Sequence, residues 1–144
     1  MRVRIENKKD YEQARKEGFE PLIDKNFEMP IKLRVELQRE LFGKNGNQEA
    51  NQKFYAWTWN HSDHWCSECM LPLYDYSATY ISHILTRGAH PEMAHDPRNI
   101  NILCPKCHNT WEHATTRGSM RIYLSNLQRI DDLTREYTEN WLNK

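Results

Sequence analysis

The four cysteines of this chain form two pairs, Cys66-Ser-Glu-Cys69 and Cys104-Pro-Lys-Cys107, with 34 residues between them. A CxxC turn presents two thiolates to one ion while its backbone amides point at the sulfurs. Two such turns supply the four soft ligands of a tetrahedral Zn2+. Any fold of this sequence must therefore bring residues 66 to 69 against residues 104 to 107. A closed shell of four sulfurs leaves no place for water, so Cys66, Cys69, Cys104 and Cys107 are expected to hold a structural zinc. The competing reading is four reduced, free cysteines. Zinc binding of this kind is worth on the order of 10–16 kcal/mol, comparable to the stability of a whole domain.

Such a crosslink matters here because the core is expected to be thin. Only 38% of the 144 residues are hydrophobic and 28% are charged, and a small chain with little to bury gains most from a metal staple. The length suggests one domain with helical arms. There is no apolar run of about 18 residues to cross a membrane, and the first residues, MRVRIENKKDYEQ, lack the apolar centre of a signal peptide. A reducing cytoplasm is the expected location, where paired CxxC motifs favour metal over disulfide. The 20 basic and 20 acidic residues cancel, which argues against an indiscriminate nucleic-acid coat. Between His83 and Arg121, however, Arg87, Arg98, Lys106, Arg117 and Arg121 outnumber Glu92, Asp96 and Glu112, so that stretch is locally positive.

Residues 1 to 53 read as a polar and helical arm. Asp10 is expected to cap a short helix through Lys16, ended by Gly18. Pro30 suits the first turn of a second helix to Phe42, with Leu33, Leu37 and Leu41 on its apolar side and Gly43 stopping it. Gly43 to Gln52 reads as a polar loop or hinge. Residues 54 to 117 read as the core. Phe54 to Trp59 is aromatic and is either a strand or the end of a helix; core packing is favoured for it over base stacking. His61 and His64 read as surface residues rather than zinc ligands. Residues 118 to 144 read as one amphipathic helix to Asn143, carrying Met120, Leu124, Leu127, Ile130, Leu133, Tyr137 and Trp141 at steps of three and four. Packing within the chain and pairing in a homodimer compete for that stripe.

Chemistry concentrates between Tyr80 and His113, which hold five of the seven histidines. Thr79 to Ile84 is expected to be a strand, with Tyr80, Ser82 and Ile84 on one side and Ile81 and His83 on the other. Asn101 to Cys104 is expected to be a second strand, and His108 to His113 a helix leaving the second knuckle. Phosphodiester hydrolysis needs a base to activate water, which a neutral histidine supplies. It also needs a cation to stabilise the crowded phosphorus and the departing oxygen. A zinc deaminase is a competing reading of His90-Pro-Glu92 followed by CxxC. Against it, Leu103 stands where proline precedes the first cysteine, Glu92 is too close to Cys104, and Cys66 and Cys69 would have no task.

His83 at a strand end, Asn99 in Asn-Ile-Asn-Ile-Leu-Cys and His108 in Cys-Pro-Lys-Cys-His together resemble the HNH endonucleases, which share a ββα-metal fold. The bracketing CxxC pairs look like the zinc-containing members, among them phage junction-resolving and recombination enzymes. The resemblance covers about residues 66 to 113. It implies an α+β protein with a ββα-metal core and flanking helices, acting on duplex or branched DNA, in the host cytoplasm for a phage-encoded chain. It implies His83 as the base, Asn99 as the brace of the loop between the strands, and His108 as ligand of a catalytic Mg2+ or other divalent cation. His113 is a candidate second ligand. Arg87 and Arg98 suit phosphate contacts, since a guanidinium forks onto its oxygens. Family members commonly carry Asp or His immediately before the base, where this chain has Ser82. Ser82 binding through water, substitution by His90 or His95, and an attenuated site are the three explanations. A non-catalytic zinc module binding DNA or protein is the alternative function, and RNA as substrate stays open.

Overall fold

A computed structural model describes residues 3–138, and the chain is a mixed α+β protein. The N-terminal arm starts with β1 (Val3–Arg4), which pairs in parallel with β2 (Phe27–Glu28). Between them α1 (Lys8–Lys16) is capped by Asn7, whose side chain accepts from the Asp10 amide; the cap lies three residues before the expected Asp10. Asp10 serves the same turn by accepting from the Glu6 amide. Gly18 then turns the chain at φ +94°, a conformation that costs other residues a clash.

α2 (Ile31–Phe42) follows Pro30 and buries Ile31, Leu33, Leu37 and Phe42, while Leu41 reaches solvent. The expected loop from Gly43 to Gln52 is shorter than its polarity suggests. Asn47 accepts from the Ala50 amide and caps α3 (Gln48–Asn60), so the aromatic run Phe54 to Trp59 is helical. Gly43 has φ +115°, and a Cβ there would lie 3.0 Å from the Cβ of Ala50, which lets α2 and α3 meet closely. α3 runs through residues 53 and 54, so the arm continues into the core without a linker. Its Phe54 and Trp59 are buried in the main core, and Trp57 packs against both that core and the arm's own cluster around Leu22 and Tyr11.

The centre is a two-stranded antiparallel hairpin of β3 (Ile81–His83) and β4 (Ile100–Ile102). Ile81 pairs with Ile102, Ser82 with Asn101 and His83 with Ile100. Both strands are shorter than expected. Ala78–Tyr80 forms a 3-10 turn capped by Ser77, and Leu103 follows β4 outside it, its amide bonded to the Tyr80 carbonyl. The helix α4 (Pro105–Glu112) starts directly at the second knuckle, ahead of the expected His108, because Cys104 is its cap residue and Pro105 its first residue.

After a 3-10 turn at Arg117–Ser119 comes α5 (Tyr123–Tyr137). Its buried face runs Ile122, Asn126, Leu133 and Tyr137, with Ile130 partly covered. The expected stripe faces inward at Met120, Ile130, Leu133 and Tyr137, but Leu124 is 76% exposed and Leu127 41% exposed. The reason is polar: Asn126 donates to the Asn101 side chain and Arg129 to the Ile100 carbonyl, docking that face on the outer edge of β4. Trp141 and Asn143 lie outside the described residues. No helix among the described residues is long and apolar enough to cross a membrane.

Candidate metal centre and histidine site

The two knuckles meet as their spacing requires. The ligand atoms of Cys66, Cys69, Cys104 and Cys107 lie within 4.8 Å of one another, and Cys69 Sγ is 3.8 Å from Cys104 Sγ. Four sulfurs at about 2.3 Å from a tetrahedral zinc stand about 3.8 Å apart, so the cluster can hold such an ion. The first knuckle is a tight turn. Met70 donates to the Cys66 carbonyl, Cys66 to the Leu71 carbonyl, and Met70 takes φ +65°. Burial pushes the Cys66 thiol up, but the amides of Cys69, Cys104 and Glu68 draw it down to about 7. Burial and the neighbouring thiols push Cys107 up. Four crowded sulfurs resist ionising together unless a cation joins them.

The knuckles organise what surrounds them. Ser67 donates to the Ile102 carbonyl, fixing the first knuckle to the end of β4. Glu68 accepts the amides of Arg121 and Ile122, capping the approach to α5. His61 and His64 take no part. His61 stacks on Trp57 with centroids 4.0 Å apart, and His64 on Trp59 at 3.9 Å.

His108 sits one residue past Cys107 on the first turns of α4. Its Nδ1 donates to the Thr79 carbonyl at 2.9 Å, and its Nε2 lies 2.8 Å from Glu112 Oε1. A carbonyl only accepts, so the Nδ1 hydrogen is committed and a neutral ring has its lone pair on Nε2, facing a carboxylate. Two acceptors that close need a shared proton or a cation between them. Cis positions on an octahedral Mg2+ are about 3.0 Å apart, and a metal-binding histidine typically donates its other nitrogen to a carbonyl. In the structure the pair is an i,i+4 contact on the surface of α4, with Glu112 61% exposed. Glu112 was not singled out by the motif, although its i,i+4 spacing from His108 signals the contact. His113, one position further, turns back to the Asn109 carbonyl at 2.8 Å. Among the described residues the four cysteines are the one group of three or more such ligands gathered this closely.

His83 ends β3. Its Nε2 donates to the Ala94 carbonyl at 2.9 Å, which leaves the lone pair on Nδ1. Phe54 and Tyr55 of α3 flank the ring at 6.4 and 6.1 Å between centroids. Burial lowers its pKa from 6.5 to about 4; the Ala94 bond opposes this, while Arg87 and His108 add to it. His83 is thus neutral near pH 7.

The loop from Leu85 to Asn99 is held by Asn99, which is fully buried. Its side chain donates to the carbonyls of Leu85, at 2.9 Å, and Met93, at 3.3 Å, and accepts from the Leu85 amide at 2.8 Å. Arg87 is exposed on this loop, its guanidinium 5.9 Å from the Tyr55 ring centre. Arg98, expected to meet phosphate, is engaged inside the fold. It binds buried Asp96 at 2.8 and 3.1 Å and Glu136 at 2.9 Å, and Tyr137 also donates to Asp96. His90 lies against Glu92, and His95 is wholly buried. Ser82 is also wholly buried and its hydroxyl has no partner in the described structure. A groove of about 1300 Å³ with Arg34, Trp57 and Arg129 in its walls holds neither His83 nor His108.

Compared with known proteins, the chain matches no family model, no curated sequence and no solved structure.

Proposed function

We propose that the chain is a metal-dependent endonuclease of HNH type, with β3, β4 and α4 as its ββα-metal core, hydrolysing phosphodiester bonds of duplex or branched DNA. One observation carries the reading. The strand-end His83 and the helix His108 each donate one ring N–H to a backbone carbonyl, which fixes the orientation of both rings and leaves the lone pair of neutral His83 on Nδ1. A fixed ring orientation is what a base and a metal ligand both require.

In this reading His83 Nδ1 takes a proton from the attacking water, since its low pKa keeps it unprotonated at neutral pH. His108 Nε2 and Glu112 Oε1 would hold the catalytic cation, with His113 in reserve one turn on. A bound Mg2+ or similar ion would stabilise the charge that builds on the phosphate and the leaving oxygen. Arg87 meets a neighbouring phosphate from the loop that Asn99 braces. The cysteine cluster carries structural zinc and no chemistry, in a reducing compartment such as the cytoplasm. Two copies pairing through exposed Leu124 and Leu127 of α5 would place two such sites on one substrate.

The test is incubation of zinc-loaded protein with plasmid and with branched DNA, in Mg2+, in Mn2+ and in chelator. Cleavage only with divalent cation supports the reading. DNA that is bound but uncut under every cation would favour a non-catalytic zinc module.

A further inference from the structure

A buried contact lies behind His83 that the nuclease reading does not use. His95 is wholly buried, and its Nε2 is 2.7 Å from Oδ1 of Asn51 on α3. An amide oxygen only accepts, so His95 donates, and its Nδ1 remains buried without a partner in the described structure. The ring is wedged between Phe54, with centroids 5.2 Å apart, and Phe42, at 6.0 Å. The residue before it is Ala94, whose carbonyl takes the Nε2 hydrogen of His83. Asn51 is itself fixed, one position beyond the Ala50 amide that Asn47 caps.

We infer that Asn51 and His95 are positioning residues for His83: by pinning His95 to α3 they hold the Ala94 carbonyl where it fixes the His83 tautomer. A polar ring in this place would otherwise be hard to account for. An aliphatic or aromatic side chain would fill the same space between Phe42 and Phe54 without leaving a nitrogen unpaired. What the ring adds over such a residue is a directional bond to α3. Phe54 touches both imidazoles, so α3 sets His83 from two sides, through ring packing and through the peptide at residues 94 and 95. The titratable and charged groups around His83 are Arg87, His108, His95 and Tyr55. The consequence for catalysis rests on His83 being the base; the positional claim itself is readable without DNA.

The experiment is long-range 1H–15N spectroscopy of the histidine rings in the full, zinc-loaded chain, followed through a pH titration. Wild type should show His83 with hydrogen on Nε2 and bare Nδ1. Asn51→Ala and His95→Phe should give mixed His83 tautomers and, because the Ala94 bond favours the protonated ring, move its apparent pKa down, further from the ordinary value of 6.5. Asn51→Asp, which keeps an oxygen acceptor, should restore the wild-type spectrum. His95→Phe keeps the ring packing, so it reports even where Asn51→Ala folds poorly. An unchanged His83 tautomer and titration in His95→Phe, at native zinc content, would overturn the inference. Loss of DNA cleavage in wild type would instead count against the nuclease reading alone.

Discussion

Ser82 stands directly opposite Asn101 in the pairing of β3 with β4, and Asn101 accepts a 2.7 Å hydrogen bond from Asn126 of α5. Paired residues share a sheet face, so Ser82 looks toward α5 and away from the face on which His83 meets α3. Its hydroxyl is wholly buried. The residue before the proposed base is thus built into the packing of the hairpin, and it is in no position to meet a solvent-borne cation. Neither His95, which is buried against α3, nor His90, which leans on Glu92, lies beside His108 in the contacts seen. Glu112 does.

The first prediction follows for the cation. Glu112→Gln removes the charge of a proposed direct ligand and should weaken Mn2+ or Mg2+ binding by at least the roughly 10–100-fold that the loss of an outer-shell partner costs. Glu112 is 61% exposed, so global stability should change by no more than about 1 kcal/mol. Calorimetric titration and urea unfolding check the two halves. A larger loss of affinity in His113→Ala than in Glu112→Gln would reassign the ligand.

Zinc should be inseparable from the fold. Cys104→Ala removes one sulfur and the anchor of α4 and β4 together. With roughly 10–16 kcal/mol tied to such a site and about 5–15 kcal/mol in a whole domain, the variant should lose its metal and its cooperative melt. Elemental analysis and near-UV circular dichroism report both. A variant that melts as sharply as wild type without zinc would show the cluster to be dispensable.

Acid should weaken the fold through two imidazoles. Burial holds both His83 and His95 near a pKa of about 4, against 6.5 unfolded. Below 6.5 the unfolded chain takes up protons that the folded chain refuses, so stability present at pH 7 is lost as pH falls toward 4. The loss approaches roughly 3 kcal/mol for a fully buried ring. Urea midpoints measured from pH 7 to pH 5 should fall, and His95→Gln should flatten the slope. Comparing the two slopes removes the contribution of the cysteine site, which both proteins share. Equal slopes would place the acid sensitivity elsewhere.

Asp96 ties the loop to the last turns of α5. It is wholly buried, and although burial pushes its carboxyl up, Arg98 and Arg34 hold it well below the usual carboxylate range. Asp96→Asn leaves Arg98 and the buried Arg34 with a cation too many, a change that costs about 3–5 kcal/mol when a buried pair is broken. Denaturant unfolding measures it. A cost below about 1 kcal/mol would mean that Glu136 alone suffices for Arg98.

What the sequence disclosed follows its physics. The four-cysteine cluster is legible because covalent spacing and thiolate chemistry leave few alternatives. The hairpin and α4 were legible to within a few residues, since Ser77 and Cys104 set their ends through local geometry. The start of α3 was missed because its first turn, Gln48 to Asn51, is polar, although Asn47 and Glu49 are themselves a start signal. The inward face of α5 is legible at Ile130, Leu133 and Tyr137 but not in its first turns, where Leu124 and Leu127 are more apolar than Asn126 and Arg129, yet only the latter two bond β4. Arg98 looked free because Tyr137 and Glu136, which complete its environment, lie nearly forty residues away. Tertiary partners of that kind leave no periodic trace.

Whether His83 activates water is decided by single-turnover cleavage of a defined DNA substrate by wild type and His83→Ala. With zinc content and melting temperature matched, the rate of the variant should fall by about 10²–10⁴-fold. Cleavage by His83→Ala at the wild-type rate would contradict that role.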